Sequence, residues 1–235
     1  MSVDRTVFPA NYGVRRRFAR TSVCLELCCC SRFPCCRRCP CGRALRARES
    51  VQMLSPPRLQ EMHGFSPPIF KVPTIDHAGD NDIVEVSFAE SETMDGVEVT
   101  VIFKDEDRPN RCADCFYDVI RLPLFGRQCD IETFTVLRGP AGVFDRIHFE
   151  GTYSGDQDWS AQVPRHMTAV VPVSEFELES ESGRLVIWIN VWNHLFGPRN
   201  NNPDMTFDTV DSFLLTRGLR REVDARFVGL LNRVA

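Results

Sequence analysis

Lysine is nearly absent from this chain: Lys71 and Lys104 stand against 26 arginines, the two types together numbering 28 in 235 residues. A skew of that kind reflects coding bias as readily as chemistry, so arginine runs alone do not define a nucleic-acid surface. The charge distribution argues the same way. Residues 1–50 hold eleven arginines and three acids (Asp4, Glu26, Glu49), a balance of 11 − 3 = +8. With a net charge of −4, the other 185 residues carry −4 − 8 = −12. An acidic body repels phosphate backbones, so no nucleic-acid partner is expected. Long apolar runs are missing too: no window approaches the length of about 18 residues that a membrane-spanning helix needs. The one candidate secretory core, Val23 to Cys30, is short and interrupted by Glu26. Also absent are GxSxG, a P-loop, GxGxxG and HExxH. Ser154 lies between Gly151 and Gly155 without the spacing of a nucleophile elbow.

Cysteine, by contrast, is concentrated. Eight of the eleven cysteines fall between Cys24 and Cys41, among Arg37, Arg38, Arg43, Arg46 and Arg48. Four readings stay open for this arm. Thiolates are soft ligands for zinc or copper(I), though the stretch offers no histidine. Acylated cysteines beside a polybasic patch would supply the two signals that stable membrane anchoring requires. A disulfide framework needs an oxidising compartment. The fourth reading is a composition-biased tail. Arginine-rich, acid-poor composition also matches an organelle transit peptide in bulk. The expected setting is cytoplasmic, with membrane attachment or organelle targeting through the arm as alternatives. In the body, Cys112-x2-Cys115 with Cys129 fourteen residues later reads as half a zinc site, a redox pair or packed thiols.

The chain divides by pattern into an arm (1–50), a proline-rich linker (51–79), a β domain (80–198) and a C-terminal loop with helices (199–235). Alternation predicts strands at Ile83–Phe88, Gly96–Phe103, Ile131–Leu137, Phe144–Gly151, Met167–Val173, Glu175–Glu181 and Arg184–Trp192. Asp208 or Thr209 reads as the cap of a short helix carrying Val210, Phe213 and Leu214 and stopped by Gly218. Leu219, Val223, Phe227, Leu230, Leu231 and Val234 form one helical stripe, with Glu222 and Arg226 as an i,i+4 pair. The fold class that results is α+β, mainly β: an antiparallel sandwich or barrel of about seven strands with an amphipathic C-terminal helix packed on it.

One stretch of the body suggests a site. If Arg184–Trp192 is a strand, Leu185, Ile187, Ile189 and Val191 face the core, and the other face presents Trp188, Asn190, Trp192 and His194 in a row. Indole faces stack on rings, sugars or peptide groups, while an amide and an imidazole fix orientation by hydrogen bonds. Packing of those indoles under the C-terminal helix is the competing reading. The polar loop Gly197–Asp204 follows. Two function classes emerge. The first is a non-enzymatic module binding a small-molecule or protein ligand. The second is a hydrolase-like or metal-assisted enzyme gathering His148, His166 or His194 with Asp156 or Asp158 at strand ends. No cofactor or metal is specified by the sequence.

Overall fold

The computed structural model describes residues 53–227 apart from 79–80, 107–116, 118–119, 122 and 128. The chain divides into two units, Met1–Arg37 and Arg38–Ala235, and every described residue belongs to the second. The cysteine-rich arm and the pair Cys112 and Cys115 therefore lie outside the described residues.

Alternating β-branched and aromatic residues build ten strands: β1 Ile69–Pro73, β2 Ile83–Glu90, β3 Gly96–Phe103, β4 Asp130–Arg138, β5 Phe144–Tyr153, β6 Met167–Pro172, β7 Val186–Ile189, β8 Phe196–Gly197, β9 Phe207–Val210 and β10 Leu214–Arg217. They form one sheet in the order β10-β2-β3-β4-β5-β8-β7-β1-β9, with β6 branching from β5. The sheet is mixed: β10 with β2, β1 with β7 and β5 with β8 run parallel. The fold is mainly β, as expected, but the described strands form a single curled half-barrel of ten strands with mixed pairing in place of about seven antiparallel ones. Its concave face is filled by phenylalanines. Phe70, Phe103, Phe134, Phe149 and Phe196 are each at most 1% exposed, and Phe134 meets Phe196 edge-to-face at 5.3 Å. Each such ring contributes about 1.5–3 kcal/mol by leaving water.

The segment read as linker is structured. Ser55 precedes helix α1, Pro56–His63, which begins on proline, where a missing N–H costs nothing, and ends at Gly64 with φ 64°. β1 then enters the sheet between β7 and β9, and α2, Thr74–Ala78, follows it. Prolines here punctuate a folded segment instead of marking a spacer.

Three further expectations change. Glu175–Glu181 is not a continuous strand: Val173–Glu175 is a 3₁₀ turn, and Leu178 makes an isolated bridge to Leu185. The short helix over 208–218 is replaced by β9 and β10, because β1 and β2 offer open borders and ladder pairing outweighs local propensity. The C-terminal stripe is helical over α3, Arg220–Asp224. There Val223 and Phe227 pack on Ile102, Cys129 and Ile131 of the convex face. Arg226 pairs with Glu85 instead of Glu222, whose carboxylate accepts from the Leu219 N–H at 2.8 Å. Leu230, Leu231 and Val234 lie outside the described residues.

β9 and β10 are consecutive in sequence yet stand at opposite ends of the strand order. The curl brings the two borders of the sheet back toward each other, joined by Asp211, Ser212 and Phe213. This seam positions the groove described next.

Candidate functional site

The row expected from Trp188 to His194 breaks after Ile189. There β7 ends, and the chain reverses through a tight loop: Asn190 N–H donates to Leu195 O at 3.0 Å and His194 N–H to Val191 O at 2.9 Å. His194 adopts φ 58°, the left-handed region that non-glycine residues rarely enter. The four residues therefore part company. Trp192 is 5% exposed, packs with Val191, Leu195, Trp159 and Ala161, and donates Nε1–H to Ala161 O at 2.8 Å. Asn190, fully buried, donates to Ser154 Oγ (3.2 Å) and Arg199 O (3.0 Å) and accepts from Asn201 N–H at 3.0 Å. Gly197 makes room for it, since a Cβ there would lie 2.5 Å from Asn190 Nδ2 and 2.8 Å from Ser154 Oγ. Trp188 alone is half-buried, edge-to-face with Phe207 at 4.8 Å. Its Nε1 is buried without a hydrogen-bond partner.

His194 is the centre of a charged chain sealed inside the half-barrel. It has no exposed surface and stacks on Phe103 with centroids 3.8 Å apart. Nδ1 lies 2.9 Å from Asp130 Oδ2, and Nε2 lies 3.3 Å from Asp76 Oδ2, an ion-pair contact off the hydrogen-bond direction. Asn81 Nδ2 donates to the other Asp76 oxygen at 2.8 Å. Arg121 contacts Asp130 at 3.4 Å and Glu106 at 3.2 Å. Burial disfavours an imidazolium here, but Asp76 and then Asp130 outweigh it, and the His194 pKa rises to about 10. Burial likewise opposes ionisation of Asp130, yet the hydrogen bond and charge of His194, with Arg121, hold its pKa below the ordinary value. Two residues along β4, desolvation and the Asp130 charge push half-buried Glu132 well above the usual carboxylate range. A sealed imidazolium held between two carboxylates cannot accept a substrate proton near neutral pH.

The remaining histidines and aspartates stand apart. His148 pairs across the ladder with Thr135 and alternates with inward Phe149, so it faces outward. His166 contacts Gly151 O at 2.8 Å through Nδ1 and Asn193 Nδ2 at 3.3 Å through Nε2. Asp156 pairs with Arg165, and Asp158 accepts from Ser160, whose hydrogen bonds lower the Asp158 pKa. Among the described residues no group of three or more His, Cys, Asp or Glu side chains is placed to hold a metal ion. Cys129 packs in the cluster under α3.

At the seam lies an open groove of about 500 Å³. One wall is α1 and the turn before β1, through Pro56, Pro57, Gln60 and Pro67; the other is the β9–β10 connection, through Asp211 to Leu214, with Met53 and Arg184 at the rim. Arg184 reaches both walls, donating to Pro67 O at 2.8 Å and Pro68 O at 3.2 Å on one side and lying 3.9 Å from Asp211 Oδ2 on the other. A volume of this size and a largely apolar lining suit ligand or peptide binding.

Compared with known protein families, curated proteins and solved structures, the chain matches none. Among the described residues no helix is long and apolar enough to cross a membrane. Sequence reasoning missed the partners of His194 because they come from four separate segments; Asp130, the nearest of them, is 64 positions away. It also missed the groove, whose prolines read as a linker.

Proposed function

We propose that the β body is a non-enzymatic module that binds its ligand in the seam groove. The observation that carries this reading is the groove itself, a solvent-open concavity whose apolar lining is held in shape by the Arg184 bridge. Trp188, Asn190, Trp192 and His194 enter the proposal as the scaffold of the loop at the other end of the sheet, since three of them are at most 5% exposed. A hydrolase-like enzyme remains the second reading, and Glu132 is the residue that favours it: a half-buried carboxyl pushed well above the usual carboxylate range by desolvation and the Asp130 charge has the form of a general acid. The basic, cysteine-rich arm is read alongside as a tether. Thioester-linked acyl mass on the purified chain supports that role, and stoichiometric zinc replaces it with a metal-binding one.

A fragment screen followed by NMR tests the main proposal. Shifts concentrated at Gln60, Phe213 and Leu214 are expected. Hits confined to Glu132 and its neighbours, or turnover lost in Glu132→Gln, would move the site to the interior and favour the enzyme.

A further inference from the structure

From the hydrogen-bonding character of the seam groove we infer its occupant: an extended, arginine-bearing segment of another protein. The inference rests on the binding-module reading and names the chemistry of the partner. Three observations carry it.

The border of β10 already receives polypeptide as a strand. Met53 bridges Thr216 in antiparallel fashion, and Leu54 N–H donates to Leu215 O at 2.9 Å. Phe213 lies two residues before Leu215, so the period of a strand turns its backbone groups to the same side, along the groove. A segment laid there continues the sheet by strand addition, with alternate side chains settling against Pro56, Pro57 and Pro67.

Several of the lining's donors are already spent, although Gln60 and Ser212 keep exposed polar side chains. Its three prolines have no N–H. Arg184 spends Nε and Nη2 on the carbonyls of Pro67 and Pro68, and the Ser66 hydroxyl is given to Gln60 Oε1 at 2.6 Å. Of the two charges in the lining the more exposed is an acceptor: the Asp211 side chain is 57% exposed against 21% for Arg184, 3.9 Å away. The third observation is the turn beside Arg184. Glu179 N–H donates to Arg184 O at 2.9 Å and Val186 N–H to Glu177 O at 2.9 Å. This register alternates with the Leu178–Leu185 bridge, so Glu177 and Glu179 share the face of Arg184. Glu177 is exposed. A guanidinium entering from solvent meets the exposed carboxylates of Asp211 and Glu177, which its planar fork can engage, while the Glu179 carboxylate is held by the N–H groups of Glu181 and Ser182 and the Ser182 hydroxyl. An acidic segment meets repulsion.

The test uses the full-length chain and short fluorescein-labelled peptides in which leucine alternates with arginine, with glutamate or with serine, followed by fluorescence anisotropy at low and high salt. The arginine series should bind roughly tenfold more tightly than the serine series, the gain expected from a few partly exposed charge pairs, and should lose that margin at high salt. Asp211→Lys with Glu177→Lys, both at exposed positions, should erase the preference, and Ser212→Trp, which fills the groove from an exposed position, should abolish binding of every series. Binding that Ser212→Trp blocks, without preference for arginine, overturns this inference and leaves the binding module standing. Arginine peptides that still bind Ser212→Trp overturn the groove as their site. If no peptide binds but fragments still shift Phe213 and Leu214, the protein-segment occupant is overturned and a small ligand takes its place.

Discussion

Where β4 begins, Glu106, Arg121, Asp130, His194 and Asp76 are each no more than 8% exposed and answer one another's charges. At the seam, the Asp211 side chain is 57% exposed and Pro56 and Pro57 stand open to solvent across from Phe213 and Leu214. The first region is rich in the residue types usually associated with sites, yet it is sealed from solvent and its charges face one another. The second consists of types usually associated with linkers, and it is the one open to solvent. Chemistry-bearing residues mark function only where something can reach them, and burial among opposed charges removes that access.

That contrast can be broken most severely at His194. Replacement by Asn keeps a residue tolerant of positive φ but leaves Asp76 and Asp130 facing each other without the cation. The expected loss is about 3–5 kcal/mol of unfolding free energy in urea titration. The wild type should show the same network through pH. Because the folded-state pKa of His194 is raised from 6.5 to about 10, its contribution is complete below about 6.5 and is lost as pH climbs through 10. The urea midpoint should therefore fall steadily across that window in the wild type and stay nearly flat in His194→Asn. A flat wild-type profile would show that His194 is neutral and that the end of the sheet is not an ionic chain.

Smaller effects sharpen the comparison. Gly197→Ala drives a methyl into Asn190 and Ser154 and should cost about 1–3 kcal/mol by overpacking; thermal melting measures it. Glu132→Gln should stabilise the protein at neutral pH by up to about 1 kcal/mol. A carboxyl whose folded pKa is raised opposes folding once pH exceeds its ordinary value. Ser212→Trp at the groove should change stability by no more than about 0.5 kcal/mol, a result that separates a binding surface from a structural element.

Much of the sheet was legible in the residues. Val86 and Phe88, and Val97 to Phe103, alternate as strands do, and β2 and β3 pair as the turn between them implied. The expected half-burial is not found: Ser87 and Thr100 are fully buried on the opposite face, and a register shift between Ile83 and Glu85 turns Val84 toward the convex cluster, away from Val86 and Phe88. Short elements were not. Phe207–Val210 and Leu214–Arg217 carry too few residues for periodicity to decide, and their conformation is set by β1 and β2, distant in sequence. For the same reason Arg184–Trp192 read as a longer strand than it is: alternation continues through Trp192, but the Asn190–Leu195 and His194–Val191 backbone bonds that turn the chain leave no compositional trace. The residues of the charged chain were individually visible and collectively hidden, since only the topology brings Asp76, Arg121 and Asp130 to one histidine.

The three residues joining β9 to β10 set a covalent limit on the seam. From Val210 to Leu214 the backbone has four Cα steps, so even fully drawn out it spans no more than about 15 Å. The two borders of the sheet are clasped at that point, and breathing of the half-barrel cannot widen the gap past that length there.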